Sequence, residues 1–190
     1  SGVLIVLPVS LATGTTPLVP VHILLLNLVS ETGPSIALGL EKPEKNIMKQ
    51  LPRKKSEKLL TRGRWGRIFF EAVLLAAAGV MAFVLAQQIN PAAATSAVLA
   101  TAFLSRLWHA LSSRSEKLSV LSDKLQRNTS LYYTIIGTIA FLAISLYTPI
   151  GNNIIKTVPL SLELLGICTA LSLAPLIVIE GYKIVLRRKA

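Results

Sequence analysis

The sequence predicts an all-α membrane protein, a polytopic helix bundle of about six transmembrane segments. Apolar residues make up 52% of the 190 residues and charged residues only 15%, against about 25% charged in soluble domains. Several apolar stretches reach the roughly 20 residues that a helix needs to cross a bilayer. The basic residues are concentrated in segments that fall on one side of such a bundle.

The first apolar stretch, residues 3–19, predicts a short or truncated helix, because Pro8, Gly14 and Pro17 interrupt it. No positive charge precedes this stretch, which argues against a signal peptide. We therefore expect the last part of a helix whose beginning lies outside this chain.

Five further stretches are long and apolar enough to span a bilayer. They are residues 20–40, 68–86, 92–111, 131–150 and 160–186. The last stretch carries Glu163 near one end and Glu180 near the other, with Lys183 close to Glu180. It also holds Cys168, the single cysteine, which we interpret as a small packing residue.

The distribution of Lys and Arg predicts the orientation of the bundle. Ten of these residues lie in 41–67, five in 106–127 and four in 183–189. With six helices all three regions fall on one side, and the positive-inside rule makes that side cytoplasmic. We therefore expect an integral, multi-pass membrane protein whose basic loops and C-terminus are cytoplasmic.

The chain is thus predicted to form one transmembrane domain, residues 1–190, with three basic cytosolic parts. These are a loop at 41–67, a loop at 112–130 and a tail at 187–190. A net charge of +11 placed in this way sets topology and contacts anionic lipid head groups. We expect the lipid bilayer as a partner and no nucleic acid.

A polar cluster inside the second apolar stretch is the candidate functional site. Asn27, Ser30 and Glu31 fall at i, i+3 and i+4, on one face of a helix. Pro34 has no backbone N–H, so the carbonyl of Ser30 loses its helical donor, and Gly33 loosens the backbone beside it. Hard cations prefer such oxygen ligands. An ionisable group at this depth costs roughly 3 kcal/mol, which indicates a function.

Two motifs around this cluster resemble a known family. The segment from Pro20 to Glu31 reads Pro-Val-His-Ile-Leu-Leu-Leu-Asn-Leu-Val-Ser-Glu. It resembles the sixth transmembrane helix of calcium-type and sodium/potassium-type P-type cation ATPases, whose pattern is Asn-Leu-(Val/Ile/Thr)-(Thr/Ser)-Asp with a later Pro. The runs Ala-Leu-Gly-Leu-Glu-Lys-Pro at 37–43 and Ile-Met-Lys-Gln-Leu-Pro-Arg at 47–53 are similar to the cytosolic link of that family. With the six-segment layout, the resemblance covers the family's fifth to tenth helices and essentially the whole chain.

The resemblance implies that Asn27, Ser30 and Glu31 bind the transported cation, with Glu31 and Asn27 as candidate metal ligands. The alternative is that Asn27 and Ser30 only form hydrogen bonds between packed helices. This chain also departs from the family, because Glu31 stands where Asp is usual. The longer side chain changes the size of the cavity.

Two further family carboxylates are missing from the aligned positions. Gly2 falls near the fifth-helix Glu of two-calcium pumps, and Arg106 falls near the eighth-helix Glu. Arg106 either pairs with Glu31 and so excludes one cation, or snorkels to the cytoplasmic head groups. In both cases the sequence argues against a two-calcium site. Glu71 is interpreted as an interfacial charge near Arg67 rather than a proton carrier.

The chemical motor of the family is not in this sequence. Phosphoryl transfer in the family needs an Asp-Lys-Thr-Gly-Thr loop, whereas the single aspartate here, Asp123, is followed by Lys124-Leu125-Gln126. We therefore expect no ATP hydrolysis by these residues alone, no resident cofactor, and a transported metal cation as cargo. ATP and magnesium would act only through domains that these residues lack.

The leading functional hypothesis is the cation-binding and translocation half of a P-type ATPase, whose partners are the catalytic domains of that ATPase. The alternative is a standalone membrane protein derived from this domain, acting as a scaffold or regulatory subunit of a larger membrane complex without transport. A secondary transporter is less favoured, because the sequence shows no internal repeat.

Overall fold

The computed structural model describes residues 2–41, 62–115, 120 and 128–189. Its α-helices are α1 (Gly2–Thr13), α2 (Pro20–Leu28), α3 (Thr32–Gly39), α4 (Arg62–Ile89), α5 (Ala94–Ser112), α6 (Thr129–Tyr147) and α7 (Leu162–Lys189). A 3-10 turn, Pro91–Ala93, precedes α5, and a π-helical turn, Gly151–Ile155, follows α6. The described residues contain no β-strand, so the all-α prediction is confirmed.

Four helical segments of the described chain are long and apolar enough to cross a membrane. They are Pro20–Gly39, which joins α2 and α3, and Gly63–Ile89, Thr129–Tyr147 and Leu162–Ile184. Their outer faces expose large apolar side chains such as Leu24, Phe69, Tyr133 and Ile177, as lipid contact requires. A multi-pass membrane bundle therefore accounts for the fold.

The other two predicted segments differ from these four. Helix α1 has 12 residues and is short, as the interrupted sequence predicts, and Gly14 ends it in the left-handed region at φ 66°. Helix α5 has 19 residues but is less apolar than the four spanning segments, since it carries Arg106 and His109 together with several Ser and Thr residues. It is nevertheless the most enclosed helix of the bundle.

The core is built around α5, which packs against both α4 and α7, and these two helices also contact each other. Small residues on α5, such as Ala97 and Ala100, are fully buried and let the neighbouring helices approach closely. On α4, Gly79 serves the same purpose, because a Cβ there would lie 2.8 Å from Cδ1 of Ile5 on α1. A second, smaller cluster around Leu107 and Leu131 packs α3 and α6 against the last turns of α5.

Two of the predicted loop boundaries differ from the helices in the structure. Helix α4 begins at Arg62 and α7 runs to Lys189, so residues 62–67 and 187–189 are helical rather than loop or tail. Arginine and lysine are good helix formers, and a helix can continue beyond the apolar stretch once its charged residues reach water. The rest of the loop predicted at 41–67 lies outside the described residues beyond Glu41. Within the loop predicted at 112–130, residues 116–119 and 121–127 also lie outside them.

The turn between α6 and α7 depends on Gly151. A Cβ at this position would lie 2.0 Å from the carbonyl oxygen of Ser145, which also accepts a hydrogen bond from the Thr157 hydroxyl. We expect Gly151→Ala to lower the free energy of unfolding by about 3 kcal/mol, the upper end for overpacking, because the clashing atom is backbone. Thermal unfolding of the purified protein measures this loss. The control, Gly166→Ala, has open space around its Cβ, and a variant pair of equal stability would contradict the prediction.

Candidate functional site

The spanning segment of α2 and α3 is interrupted at residues 29–31, and the polar cluster lies at this interruption. Val29 and Glu31 keep right-handed dihedrals (φ −91°, ψ −52° and φ −106°, ψ −45°), so the chain continues in one direction. Pro34 cannot donate to the Ser30 carbonyl, and the backbone ladder resumes with Ser35 N–H donating to the Glu31 carbonyl at 3.0 Å.

The structure places the interruption before the two residues that were predicted to cause it. Gly33 and Pro34 both lie in the first turn of α3. Proline has no N–H to donate to the carbonyl one turn back, that of Ser30. Glycine has a different effect, because a Cβ at Gly33 would lie 2.7 Å from Cγ2 of Thr134, so it allows α3 to pack closely on α6.

Side chains bind the backbone carbonyls near the interruption. The Ser30 hydroxyl donates to the Leu26 carbonyl at 2.5 Å, and the Thr32 hydroxyl donates to the Asn27 carbonyl at 3.1 Å. The guanidinium of Arg106 donates to the same Leu26 carbonyl at 2.8 Å. Arg106 therefore links α5 by a hydrogen bond to the α2–α3 segment next to its interruption.

Arg106 and Glu31 form an ion pair at this point. Nη1 of Arg106 lies 2.9 Å from Oε1 of Glu31 and donates to the Ser30 hydroxyl at 3.3 Å. The Arg106 side chain is 9% exposed and that of Glu31 is 51% exposed. Of the two alternatives for Arg106, the geometry matches pairing, since its guanidinium is buried and contacts Glu31.

A cavity of about 310 Å³ opens beside this ion pair. Its polar wall brings together residues of three parts of the fold. These are Ser30, Glu31 and Ser35 from the α2–α3 segment, Glu71 from α4, and Arg106, His109 and Ser113 from α5 and its end. Among the described residues no group of three His, Cys, Asp or Glu side chains is close enough to hold a metal ion. The cavity is therefore mixed in charge rather than a preformed carboxylate cage.

Glu71 is a cavity residue that the sequence interpretation underestimated. It pairs with Arg67 at 2.7 Å, as predicted, but its other oxygen lies 3.8 Å from Nε2 of His109. Arg106 and His109 are three residues apart on α5, and this spacing puts both on the side that faces the cavity. That spacing is the signal in the sequence that could have linked His109 to the site.

Asn27 is not brought into the cavity. Its side chain is exposed on α2, whereas Ser30 is 1% exposed and Glu31 lines the cavity wall. The regular helix is interrupted between Leu28 and Thr32, so the three residues do not belong to one continuous helix. The structure therefore groups Ser30 and Glu31 with Arg106 and leaves Asn27 on a separate surface.

A second charged group fixes the end of α3. The Arg114 guanidinium donates to Glu41 at 2.6 Å, and the Asn128 amide donates both to Glu41 and to the Ala37 carbonyl. Burial by itself would raise the pKa of the Glu41 carboxyl, but these hydrogen bonds and the charge of Arg114 outweigh it and lower that pKa. Glu41 therefore stays ionised and joins the ends of α3 and α5 to the start of α6.

A third group closes the same end of the bundle. The ammonium of Lys183 on α7 is 1% exposed and lies 3.0 Å from Glu180. It donates to the carbonyl of Ser112 at 2.5 Å and to its hydroxyl at 2.9 Å. The i, i+3 pair predicted on α7 thus also bonds α7 to the end of α5.

The fold and the site define a class of protein, a multi-pass helical membrane protein with a carboxylate and an arginine paired at an interrupted spanning helix. Residues 15–185 match the family described as "Cation transporting ATPase, C-terminus". The chain belongs to this family, and the resemblance drawn from the two sequence motifs is confirmed.

Individual relatives agree with this assignment. The chain is 32% identical over 148 residues to "Calcium-transporting ATPase" of Bacillus subtilis, covering 76% of this chain and 16% of the relative. It is 26% identical over 185 residues to "Calcium-transporting ATPase 1" of Lactococcus lactis, covering 97% of this chain and 20% of the relative. It is 27% identical over 149 residues to human "Calcium-transporting ATPase type 2C member 1", covering 77% and 16%. The chain therefore spans a fifth or less of the length of these relatives.

Proposed function

We propose that this chain is the membrane-embedded cation-binding and translocation part of a P-type cation-transporting ATPase. The observation that carries the proposal is the position of Glu31, a carboxylate at the interruption of a spanning helix and on the wall of a cavity. Relatives named calcium-transporting ATPases support calcium as the cargo. ATP hydrolysis is assigned to catalytic domains of the same ATPase.

The cation would be bound by oxygen atoms at the interruption. Ser30 and Glu31 supply a hydroxyl and a carboxylate, ligands that a hard cation prefers. Asn27 and half of the Glu31 side chain are exposed in this chain. Both groups are therefore accessible to helices outside this chain. In a protein as long as the relatives, about four-fifths of the length lies outside the part matched here. We assign the missing cation ligands to helices in that part.

The orientation proposed for this domain places its ion-paired end in the cytoplasm. Arg67, Arg114 and Lys183 lie at that end and are held by carboxylates, and the most basic segments of the sequence adjoin it. The positive-inside rule supports this orientation. The scaffold alternative is not favoured, because the relatives carry the names of transporting ATPases.

Arg106 limits the number of cations at the site. Its guanidinium lies 2.9 Å from Glu31, so one fixed positive charge already neutralises the carboxylate at the interruption. A first divalent ion has to share the single charge of Glu31 with Arg106, and Glu71, the other carboxylate that lines the cavity, is paired with Arg67. A second divalent ion would add two more charges with no unpaired carboxylate to balance them, and buried uncompensated charge is costly. We therefore propose that the site holds a single divalent cation.

This proposal predicts the stoichiometry of calcium binding. In the complete ATPase, saturating labelled calcium is expected to give one bound ion for each phosphorylated enzyme. The measurement compares calcium bound at equilibrium with the phosphoenzyme formed from labelled ATP in the same preparation. Two ions for each phosphoenzyme would contradict the role of Arg106, and no calcium-dependent phosphoenzyme would contradict the cation assignment.

A further inference from the structure

Helix α5 carries a line of buried polar atoms that have no hydrogen-bond partner among the described residues. They are Oγ1 of Thr101, Oγ of Ser105 and Nδ1 of His109. The three residues are four apart, which places them along one side of the helix at intervals of about 6 Å. Thr101 is 0% exposed and Ser105 is 2% exposed, so bulk solvent does not reach these hydroxyls.

Other hydroxyls on the same helix do have partners. Ser96 accepts a hydrogen bond from the Val158 N–H at 2.7 Å, and Ser112 bonds both Glu180 and Lys183. The neighbour of Thr101 is the thiol of Cys168, whose Sγ already donates to the Ala97 carbonyl and is only a weak acceptor. On α5 the polar atoms without a partner therefore lie along one side of the helix; elsewhere among the described residues, Oγ of Ser10 on α1 and Nδ1 of His22 on α2 also lack a partner.

Buried polar atoms without a protein partner are usually bound by internal water. A water needs about 30 Å³ and two to four polar neighbours, and the line on α5 supplies a polar atom at each turn. It ends at His109, on the wall of the 310 Å³ cavity that also holds Glu31 and Glu71. Water along this side of α5 would therefore be continuous with the cavity.

His109 is the titratable group where the line meets the cavity. From α4 it faces Glu71, whose Oε2 lies 3.8 Å from its Nε2, and Arg67. Lys183 faces it from α7, Arg106 precedes it on α5, and Glu31 shares the cavity from the α2–α3 segment. The sequence of α6 contains no charged residue.

We propose that Thr101, Ser105 and His109 line a water-filled path along α5 that carries protons to and from Glu71 in the cavity. A proton from the water chain binds Nδ1 of His109, and the proton on Nε2 passes to Oε2 of Glu71. The imidazole ends neutral in its other tautomer, and Glu71 ends neutral beside Arg67. Because 3.8 Å exceeds a hydrogen-bond distance of about 3 Å, the transfer uses a rotation of the Glu71 carboxylate or a water bound to both groups.

The path is tested first by its water content, independently of cation binding. Hydroxyl radicals generated by X-rays in the membrane-embedded ATPase oxidise side chains that lie next to water. In a Cys168→Ala background, Ser105→Cys is expected to be oxidised several-fold faster than Ala100→Cys, a control at a fully buried apolar position of α5. Equal oxidation rates for Ser105→Cys and Ala100→Cys would overturn the path.

The proton-carrying role rests on the proposed function and needs the complete ATPase. As the pH is lowered, the apparent calcium affinity of the wild type is expected to fall more steeply than that of His109→Gln. Equal slopes would overturn the proton role. A Glu31→Gln variant that still bound calcium would instead overturn the cation assignment. It would leave the comparison of side-chain oxidation rates unaffected.

Discussion

Glu31→Gln in the complete ATPase is expected to abolish cation-dependent phosphorylation while leaving the helices inserted. The glutamine keeps the length of the side chain and an oxygen that can accept from Arg106, which lies 2.9 Å from Oε1 in the native protein. It removes the negative charge on which a hard cation depends. Apparent cation affinity should fall by more than about 100-fold, the upper end for substitutions that only support a ligand.

The matched control for this variant is Glu163→Gln. Glu163 is an exposed carboxylate in the first turn of α7 and does not line the cavity. The same chemical change there is expected to leave cation dependence unaltered. Phosphoenzyme formed from labelled ATP at increasing calcium concentrations measures both variants. A Glu31→Gln enzyme with wild-type calcium dependence would remove the cation site from this helix.

Much of the fold was predictable from the sequence, because length and hydropathy alone define membrane helices. The apolar stretch at 131–150 became α6, and that at 160–186 became α7, with shifts of two or three residues at the ends. Helix α5 shows the limit of this reasoning. Its polar residues face neighbouring helices rather than lipid, and a pattern of hydropathy cannot distinguish a helix enclosed by protein from one that faces the bilayer.

The site was predictable only in part, because its residues come from helices distant in sequence. The contribution of the α2–α3 segment followed from Ser30, Glu31 and Pro34, which are neighbours in the chain. The exposed position of Asn27 did not, since it depends on how α2 packs against the rest of the bundle. Glu71 enters the cavity through the packing of α4 on α5, and no local pattern around it contains that information.

A double-mutant cycle on Glu31 and Arg106 is the second prediction with a large expected effect. Arg106→Gln removes a buried guanidinium that contacts Glu31, Ser30 and the Leu26 carbonyl. We expect it to lower the free energy of unfolding, and to do so less when Glu31 is already glutamine, because a buried charge without its partner is unfavourable. The expected coupling is about 1 kcal/mol, the lower part of the range for residues in contact, since half of the Glu31 side chain is exposed.

Unfolding of the purified protein measures the four members of this cycle. The control combines Arg67→Gln with Glu163→Gln, two residues that do not pair with each other. Their effects on the free energy of unfolding should add within about 0.5 kcal/mol. Zero coupling between Glu31 and Arg106 would contradict a functional pair.

The same Arg106→Gln variant distinguishes a counter-charge from a purely structural residue. If Arg106 supplies the positive charge that limits the site, its removal leaves Glu31 free to bind more positive charge. Calcium affinity, or the number of ions bound for each phosphoenzyme, should then rise even though the protein is less stable. A residue that only bonded the Leu26 carbonyl would lower stability and calcium binding together. The opposite directions of the two measurements are therefore the result that the geometry at Glu31 predicts.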